Sequence, residues 1–374
     1  MTDVLVIGGG IVGCAVAAHL AEAGRTVVLV EGRAIAAGAS GRNSGVVQHP
    51  LDPVLAALHL ETVARYRALG SRGPRGDLLP AAPAGLLSVT LDPAVARSEA
   101  RRLAALHPSL RPTYLAPGEV ASLEPVLGPD VAACRLDIGY PVAPTAATEA
   151  YAAWAAALGV EIRIGREARP WVEGDRVRGA LLADGTRIEA DAVVVAAGPW
   201  SPGLIDPSGT WRPIRALWGV IVAIDLGRQP IHAIEEAGTD IEPEATDDPG
   251  THSFSLITAA GTSSLGSTFL AAEPEPADEL PRILERARRF LPALDDGRLG
   301  ALRACARPLS ADGRPLIGRV PGVDGLWIAA GHGPWGISTG PAAGPLLVRA
   351  MDGDAAAIPA TLDPARFGGP PGRA

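Results

Sequence analysis

The stretch Asp3–Glu31, DVLVIGGGIVGCAVAAHLAEAGRTVVLVE, decides the fold. Val4 to Ile7 is an apolar run of strand length, Gly8-Gly9-Gly10 a turn, and Ile11 to Ala23 a helix. Thr26 to Val30 is a second apolar strand ending at Glu31, so the chain begins with a βαβ unit. Gly8, Gly10 and Gly13 fall as G-x-G-x-x-G, with Ala17, Leu20, Gly24, Val27 and Glu31 at the spacing of a dinucleotide-binding fingerprint. Gly8 permits the tight turn, Gly10 lets the backbone approach a pyrophosphate, and Gly13 lets helix and strand pack closely. The pyrophosphate would rest on the positive end of the helix that starts at Ile11. Glu31, 18 residues after Gly13, is placed to accept hydrogen bonds from ribose hydroxyls and would repel a 2′-phosphate. The expected ligand is NAD or FAD rather than NADP.

Composition narrows the chemistry. The 374 residues hold 47% apolar and 20% charged side chains, enough for a sizeable core and about two domains. All 33 basic residues are arginine; the absence of lysine excludes a pyridoxal Schiff base, a P-loop lysine and a lysine base. A net charge of −8 argues against nucleic acid or an anionic membrane as partner. The three cysteines, Cys14, Cys134 and Cys305, are far apart and the seven histidines are scattered, so neither a disulfide framework nor a protein-ligated metal is expected. The apolar stretch Val4–Ala18 is too short for a membrane span and is broken by three glycines. With no signal peptide in view, the expected location is cytoplasmic.

Outward from the first unit, a Gly/Ala/Ser loop runs from Gly32 to Pro50, followed by a helix over Pro53–Leu69. A strand at Gly85–Thr90 and a helix at Pro93–Leu106 come next, then a helix at Pro144–Leu158 and a strand at Val160–Ile164. Arg169–Glu173, Arg176–Ala183 and Thr186–Glu189 read as a small meander, and Asp191–Ala197 as a separate buried strand. From Arg212 to Leu270 strands alternate with polar loops, and Pro281–Phe290 is an amphipathic helix. Leu326–Ala330 is a strand, Gly331–Gly336 a turn and Ile337–Met351 a helix; the last twenty or so residues read as a mobile tail.

Three later segments resemble one family. The strand that ends in Ala196-Ala197-Gly198-Pro199-Trp200 resembles the second flavoprotein signature. Gly38-Ala39-Ser40-Gly41-Arg42-Asn43-Ser44-Gly45 resembles the loop along the flavin in the D-amino-acid-oxidase superfamily, which includes glycine oxidase and sarcosine oxidase. Arg307-Pro308, Asp312–Gly318, Gly325-Leu326-Trp327 and Ala330-Gly331-His332 with Gly336 are similar to its closing pattern. The resemblance implies an α/β fold: a discontinuous Rossmann-type FAD-binding domain (1–84, 142–211 and 301–374). An α+β substrate domain built on an antiparallel sheet (85–141 and 212–300) is inserted in it.

It also implies the site. Gly8, Gly10, Ile11, Gly13, Glu31, Gly32 and Arg33 would hold the ADP moiety. Ser40, Arg42, Asn43, Ser44, Gly45, Ala197, Gly198 and Trp200 would lie along the cofactor. Gly331, Gly333, Gly336, Ile337 and Ser338 would meet the flavin, with the helix after Gly336 aiming its N-terminus at the ring. By resemblance Arg307 pairs with the substrate carboxylate, two parallel N–H donors matching two oxygens; the bland reading is a structural ion pair. His332 either faces the flavin or only fixes its turn. Arg303 and Arg314 read as structural. Cys305 falls where sarcosine oxidase links its flavin, but the flanking residues differ, and non-covalent FAD is favoured over a thioether. The implied reaction is oxidation of the C–N bond of a carboxylate-bearing amino acid or N-alkyl amino acid. Hydride would pass to flavin N5 and leave an imine that hydrolyses. Two alternatives stand: 2-hydroxy-acid oxidation, with His49 or His332 as base, and a non-catalytic flavin- or dinucleotide-binding subunit of a larger dehydrogenase. The lysine that activates oxygen in sarcosine oxidase is absent, which favours another electron acceptor, and an acceptor protein or oligomeric partner is compatible with the chain.

Overall fold

Runs such as Val4–Ile7 and Val193–Val195 have no polar face, so each must be covered on both sides. The computed structural model, which describes residues 2–72, 76–238 and 251–371, shows how. In chain order the first elements are β1 (Thr2–Ile7), α1 (Ile11–Glu22), β2 (Val27–Glu31), α2 (Ala39–Arg42), β3 (Val46–Val47), α3 (Pro53–Arg72), β4 (Leu86–Thr90) and α4 (Pro93–Leu106). Then come β5 (Thr113–Leu115), α5 (Pro117–Leu123), β6 (Ala132–Leu136), β7 (Tyr140–Pro141), α6 (Pro144–Ala157), β8 (Glu161–Ile164), β9 (Ala168–Glu173), β10 (Arg176–Leu182), β11 (Arg187–Val195) and α7 (Ser201–Ile205). The rest are β12 (Ile214–Asp225), β13 (Ala233–Glu236), β14 (Thr251–Ala259), β15 (Thr262–Phe269), α8 (Pro276–Arg288), β16 (Arg298–Ser310), β17 (Leu316–Arg319), β18 (Leu326–Ala330), α9 (Gly336–Thr339) and α10 (Ala343–Met351).

The first sheet runs β17-β18-β11-β1-β2-β8, parallel from β18 to β8. Val4 and Val6 pack on one face with α1, α6 and α10, while Leu5 and Ile7 pack on the other with β9, β10 and α7. The second sheet runs β16-β12-β15-β14-β13-β4-β6-β5 and is antiparallel except for the parallel pair β13–β4. One of its faces is sealed by α8 and α5, where Phe254 stacks on Phe290 at 4.7 Å. Alternate residues on the other face, including Gly219, Ile221, Ser253 and Ser255, line a cavity.

Several expectations change. Thr186–Glu189 and Asp191–Ala197 are not two strands but one, β11: its first half pairs antiparallel with β10 and its second half parallel with β1. α8 starts at Pro276, where a fixed φ suits the first helical position, and carries Pro281 inside it. The helix expected over Ile337–Met351 breaks into α9, a 3₁₀ turn and α10 at Gly340-Pro341, because proline has no N–H to continue the ladder. The expected boundary at 300/301 falls inside β16, which stays paired with β12 as far as Ser310. The tail is docked: Leu362 is 1% exposed, Ile317 N–H donates to its carbonyl at 2.9 Å, and Arg366 holds Asp312 at 2.7 Å. Residues 372–374 of the expected tail, and positions 239–250 of the expected run of strands and polar loops, lie outside the described residues.

Candidate active site

A cavity of about 570 Å³ runs from the first glycine turn to the open face of the second sheet. At one end Gly8 takes φ +120°, and a Cβ there would lie 2.4 Å from the carbonyl of Ala196. A Cβ on Gly13 would lie 1.9 Å from the Gly8 carbonyl, so Gly13 serves packing and does not reach the cavity. Gly10 differs: a Cβ there would meet only the Ser40 hydroxyl, at 3.0 Å, and would otherwise fill the open cradle. Ile11 N–H, at the start of α1, donates to that same hydroxyl at 2.9 Å. Glu31 accepts from Gly9 N–H and from Arg33 N–H, both at 2.7 Å, which locks its carboxylate beside the turn. Gly9 went unnoticed in the fingerprint, although a Cβ there would press on Glu31 at 2.9 Å. Gly32, Arg33, Ala197, Gly198 and Trp200 share this end, with Arg33 over the Trp200 ring at 5.8 Å.

The middle is walled by α2 and by the turn after β18. Asn43 donates to the carbonyls of Ala39 and Ser40 and accepts from Gly45 N–H, so it shapes the loop that presents Ser40 and Ser44. Arg42 bridges to the Ala304 carbonyl on β16 at 3.3 Å. Gly333, Gly336, Ile337 and Ser338 line the cavity; Gly45 and Gly331, both at positive φ, only turn the chain behind it. The helix that opens at Gly336 is the single turn α9, and its residues Gly336, Ile337 and Ser338 lie on the cavity wall.

His332 lines the cavity and is 1% exposed. Thr339 Oγ1 donates to the Trp335 carbonyl at 2.9 Å, so at its 2.9 Å contact with His332 Nδ1 it must accept. The proton therefore sits on Nδ1, and Nε2 is a buried lone pair with no partner among the described residues. Burial holds this imidazole down at about 3, so it is neutral at pH 7. His49 does not line the cavity; it packs edge-on to His59 at 5.0 Å.

Arg307 lies on the cavity face of β16. Its guanidinium crosses Gly219, whose missing side chain makes the room, and donates to the Thr268 carbonyl at 2.8 Å and to Ser267 Oγ at 2.6 Å. Phe269 lies beneath it at 4.7 Å. No carboxylate among the described residues forms an ion pair with it, and burial works against its charge. Arg314 is instead paired with Asp52 at 2.8 Å, and Arg303 with Ser264 Oγ at 2.8 Å; neither lines the cavity. Cys305, two residues from Arg307, does line it. Burial pushes its thiol up, against smaller pulls from Arg307, Arg42 and Arg303, so the sulfur is not an activated thiolate. Sequence reading missed other wall residues: Ser267 beside Arg307, and Gln48, Glu235, Ser253 and Ser255 also face the cavity. Nothing local marks them, since strands distant in sequence bring them together.

Comparison with known proteins places this geometry. Residues 3–350 match the family model described as FAD dependent oxidoreductase, DAO. A glycine oxidase from Pseudomonas aeruginosa is 31% identical over 364 residues, covering 94% of each chain. Among solved structures, glycine oxidase from Bacillus cereus superposes with a TM-score of 0.79 at 24% identity, covering 94% of this chain and 95% of that one. Iminodiacetate oxidase from Chelativorans sp. BNC1 gives 0.81 at 24% identity, covering 97% and 99%.

The residues present fit FAD. Glu31, the Gly10 cradle at the start of α1, α9 and His332, whose Nε2 has no partner among the described residues, all line a single cavity. FAD carries its pyrophosphate between an adenosine and a flavin-bearing chain, so its ribose hydroxyls, phosphates and polar ring each meet a donor or acceptor along that cavity.

Proposed function

We propose, from the premise that this chain belongs to the FAD-dependent oxidoreductase family, that it oxidises the C–N bond of an amino acid or N-alkyl amino acid. The observation that carries this reading is Arg307: a buried guanidinium with no carboxylate partner among the described residues, facing the cavity. A buried charge calls for a counter-charge, and a substrate carboxylate supplies one with matching two-point geometry. Bound FAD supplies a two-electron, hydride-accepting oxidant, and the imine product hydrolyses in water. The chain's own part is placement. Ser267 Oγ and the Thr268 carbonyl fix the guanidinium fork, Phe269 supports its plane, and the clamp orients the substrate α-carbon toward the His332 and α9 wall. Neutral His332 can accept a hydrogen bond at Nε2 but holds no proton there to give.

The same histidine weakens the 2-hydroxy-acid reading. That reaction needs a base for the hydroxyl proton, and a base held near 3 is poorly matched to neutral pH. His49 is also lowered by burial and lies off the cavity. Amine oxidation, with the amine bound uncharged, needs no such base. The test is anaerobic bleaching of the yellow holoprotein against amino acids, N-methyl amino acids and 2-hydroxy acids. Bleaching by an amino or N-alkyl amino acid is expected; bleaching by 2-hydroxy acids alone, or by nothing in the panel, would overturn the proposal.

A further inference from the structure

Glu235 sits on the wall across from Arg307. On β13 successive side chains point to opposite faces. Glu236 turns to α8, where Arg286 grips it with two bonds of 2.7 and 2.6 Å. Glu235 turns into the cavity, where Gln48 Nε2 donates to its Oε2 at 3.2 Å. A carboxylate only accepts, so this contact fixes which way the amide faces and leaves Gln48 Oε1 buried without a donor among the described residues. The surrounding floor sets the small residues Ser253, Ser255 and Gly219 beside the apolar Ile221.

From these groups we infer that the cavity selects substrates bearing a second, cationic group, such as the ammonium or guanidinium of a basic amino acid. Glu235 is its acceptor, and Gln48 holds that acceptor in place. The inference rests on the amino-acid reading above, with Arg307 on the carboxylate. Register sets the span. Glu235 pairs with Ser255, and Ser255 with Gly266, one residue from the Ser267 that holds the Arg307 fork. Two strand spacings of about 4.8 Å and one residue of about 3.4 Å put the backbones of Glu235 and Ser267 roughly 10 Å apart. A ligand that touches both groups must therefore carry its own two charges well apart. A glycine or alanine amine stays beside its own carboxylate and cannot bridge that gap, whereas the side chain of ornithine, lysine or arginine can. A basic group matched to Glu235 also leaves the serine floor to the intervening methylenes and water.

The experiment compares kcat/KM for ornithine and arginine with that for alanine, each enantiomer separately, in the holoprotein and in Glu235→Gln. Glutamine keeps the volume and can still accept from Gln48, but its charge is gone. A wild-type preference for the basic substrates is expected, and Glu235→Gln should lower the ratio of basic to neutral kcat/KM by about tenfold to a hundredfold, mainly through KM. Gln48→Leu should move the same ratio in the same direction, and it carries the test if Glu235→Gln loses its flavin absorbance. Equal ratios in wild type and both variants, with amino acids still bleaching the flavin, would overturn this inference and leave the amino-acid reading intact. Failure of every amino acid to bleach the flavin would remove both.

Discussion

Replacing Arg307 by lysine isolates what the guanidinium contributes. In the structure its two Nη atoms are tied to the Thr268 carbonyl and Ser267 Oγ, its plane lies on Phe269, and Gly219 leaves it space. A lysine keeps the charge but loses the fork: one ammonium cannot meet both carboxylate oxygens while also satisfying Thr268 and Ser267. At least one charged hydrogen bond is lost, at roughly 1.5–3 kcal/mol, which is about ten- to more than a hundredfold in kcat/KM. The loss should fall mainly on KM, because the carboxylate is held in ground and transition state alike, with a smaller fall in kcat from poorer orientation. The assay is steady-state kinetics on the amino acid that bleaches the flavin fastest, with flavin content as the check on folding. A variant with wild-type flavin content and unchanged kcat/KM would place the carboxylate clamp elsewhere.

Gly10→Val should abolish FAD binding, since its methyls would occupy the cradle that only Ser40 Oγ now approaches; recovery of a yellow protein would refute the phosphate assignment. Acid precipitation of the holoprotein should leave its colour in the supernatant, because the Cys305 thiol is raised rather than activated; a yellow pellet that turns colourless in Cys305→Ala would show a thioether. His332 is buried neutral, near 3, while the unfolded chain takes a proton near the ordinary 6.5. Its contribution is therefore full above about 6.5 and is lost as pH falls from there toward 3. His332→Gln should flatten part of that acid limb in thermal melts, His19 and His59, each near 4, keeping the rest; an unaltered limb would contradict the assignment.

Much of the first sheet was legible because its signals are local. Gly8, Gly10, Gly13 and Glu31 belong to one βαβ unit, and the physics of its first turn dictates each of them. Arg307 was legible only through family resemblance, since an arginine in a strand has no local mark of what it faces. Glu235 and Gln48 were not legible at all. The place of Glu235 across from Arg307 depends on β16, β12, β15, β14 and β13 lying side by side, and Gln48 reaches it from the end of β3, in another sheet. The Pro341 break was legible in principle, as proline inside a helical pattern, but apolar residues on both sides of it mimic one helix. The docked tail was misread because its Gly/Pro/Ala composition looks unstructured, while its anchors, Leu362 and Arg366, are single residues.

That tail bears on how the first sheet ends. An outermost strand offers free N–H and C=O groups to any other strand, and natural proteins blunt such rims. Apart from the branch that ends at β9, the first sheet's rims at β17 and β8 are blunted by different means. Beyond β17, the segment around Leu362 accepts from Ile317 N–H and covers the row with the protein's own chain. Beyond β8, where the side chains are more open to solvent, Glu161 and Arg163 meet at 2.8 Å and present charge instead of a bare backbone. The molecule thus stops its own sheet from growing by cover on one side and by charge on the other, and strand-to-strand self-association is opposed at both.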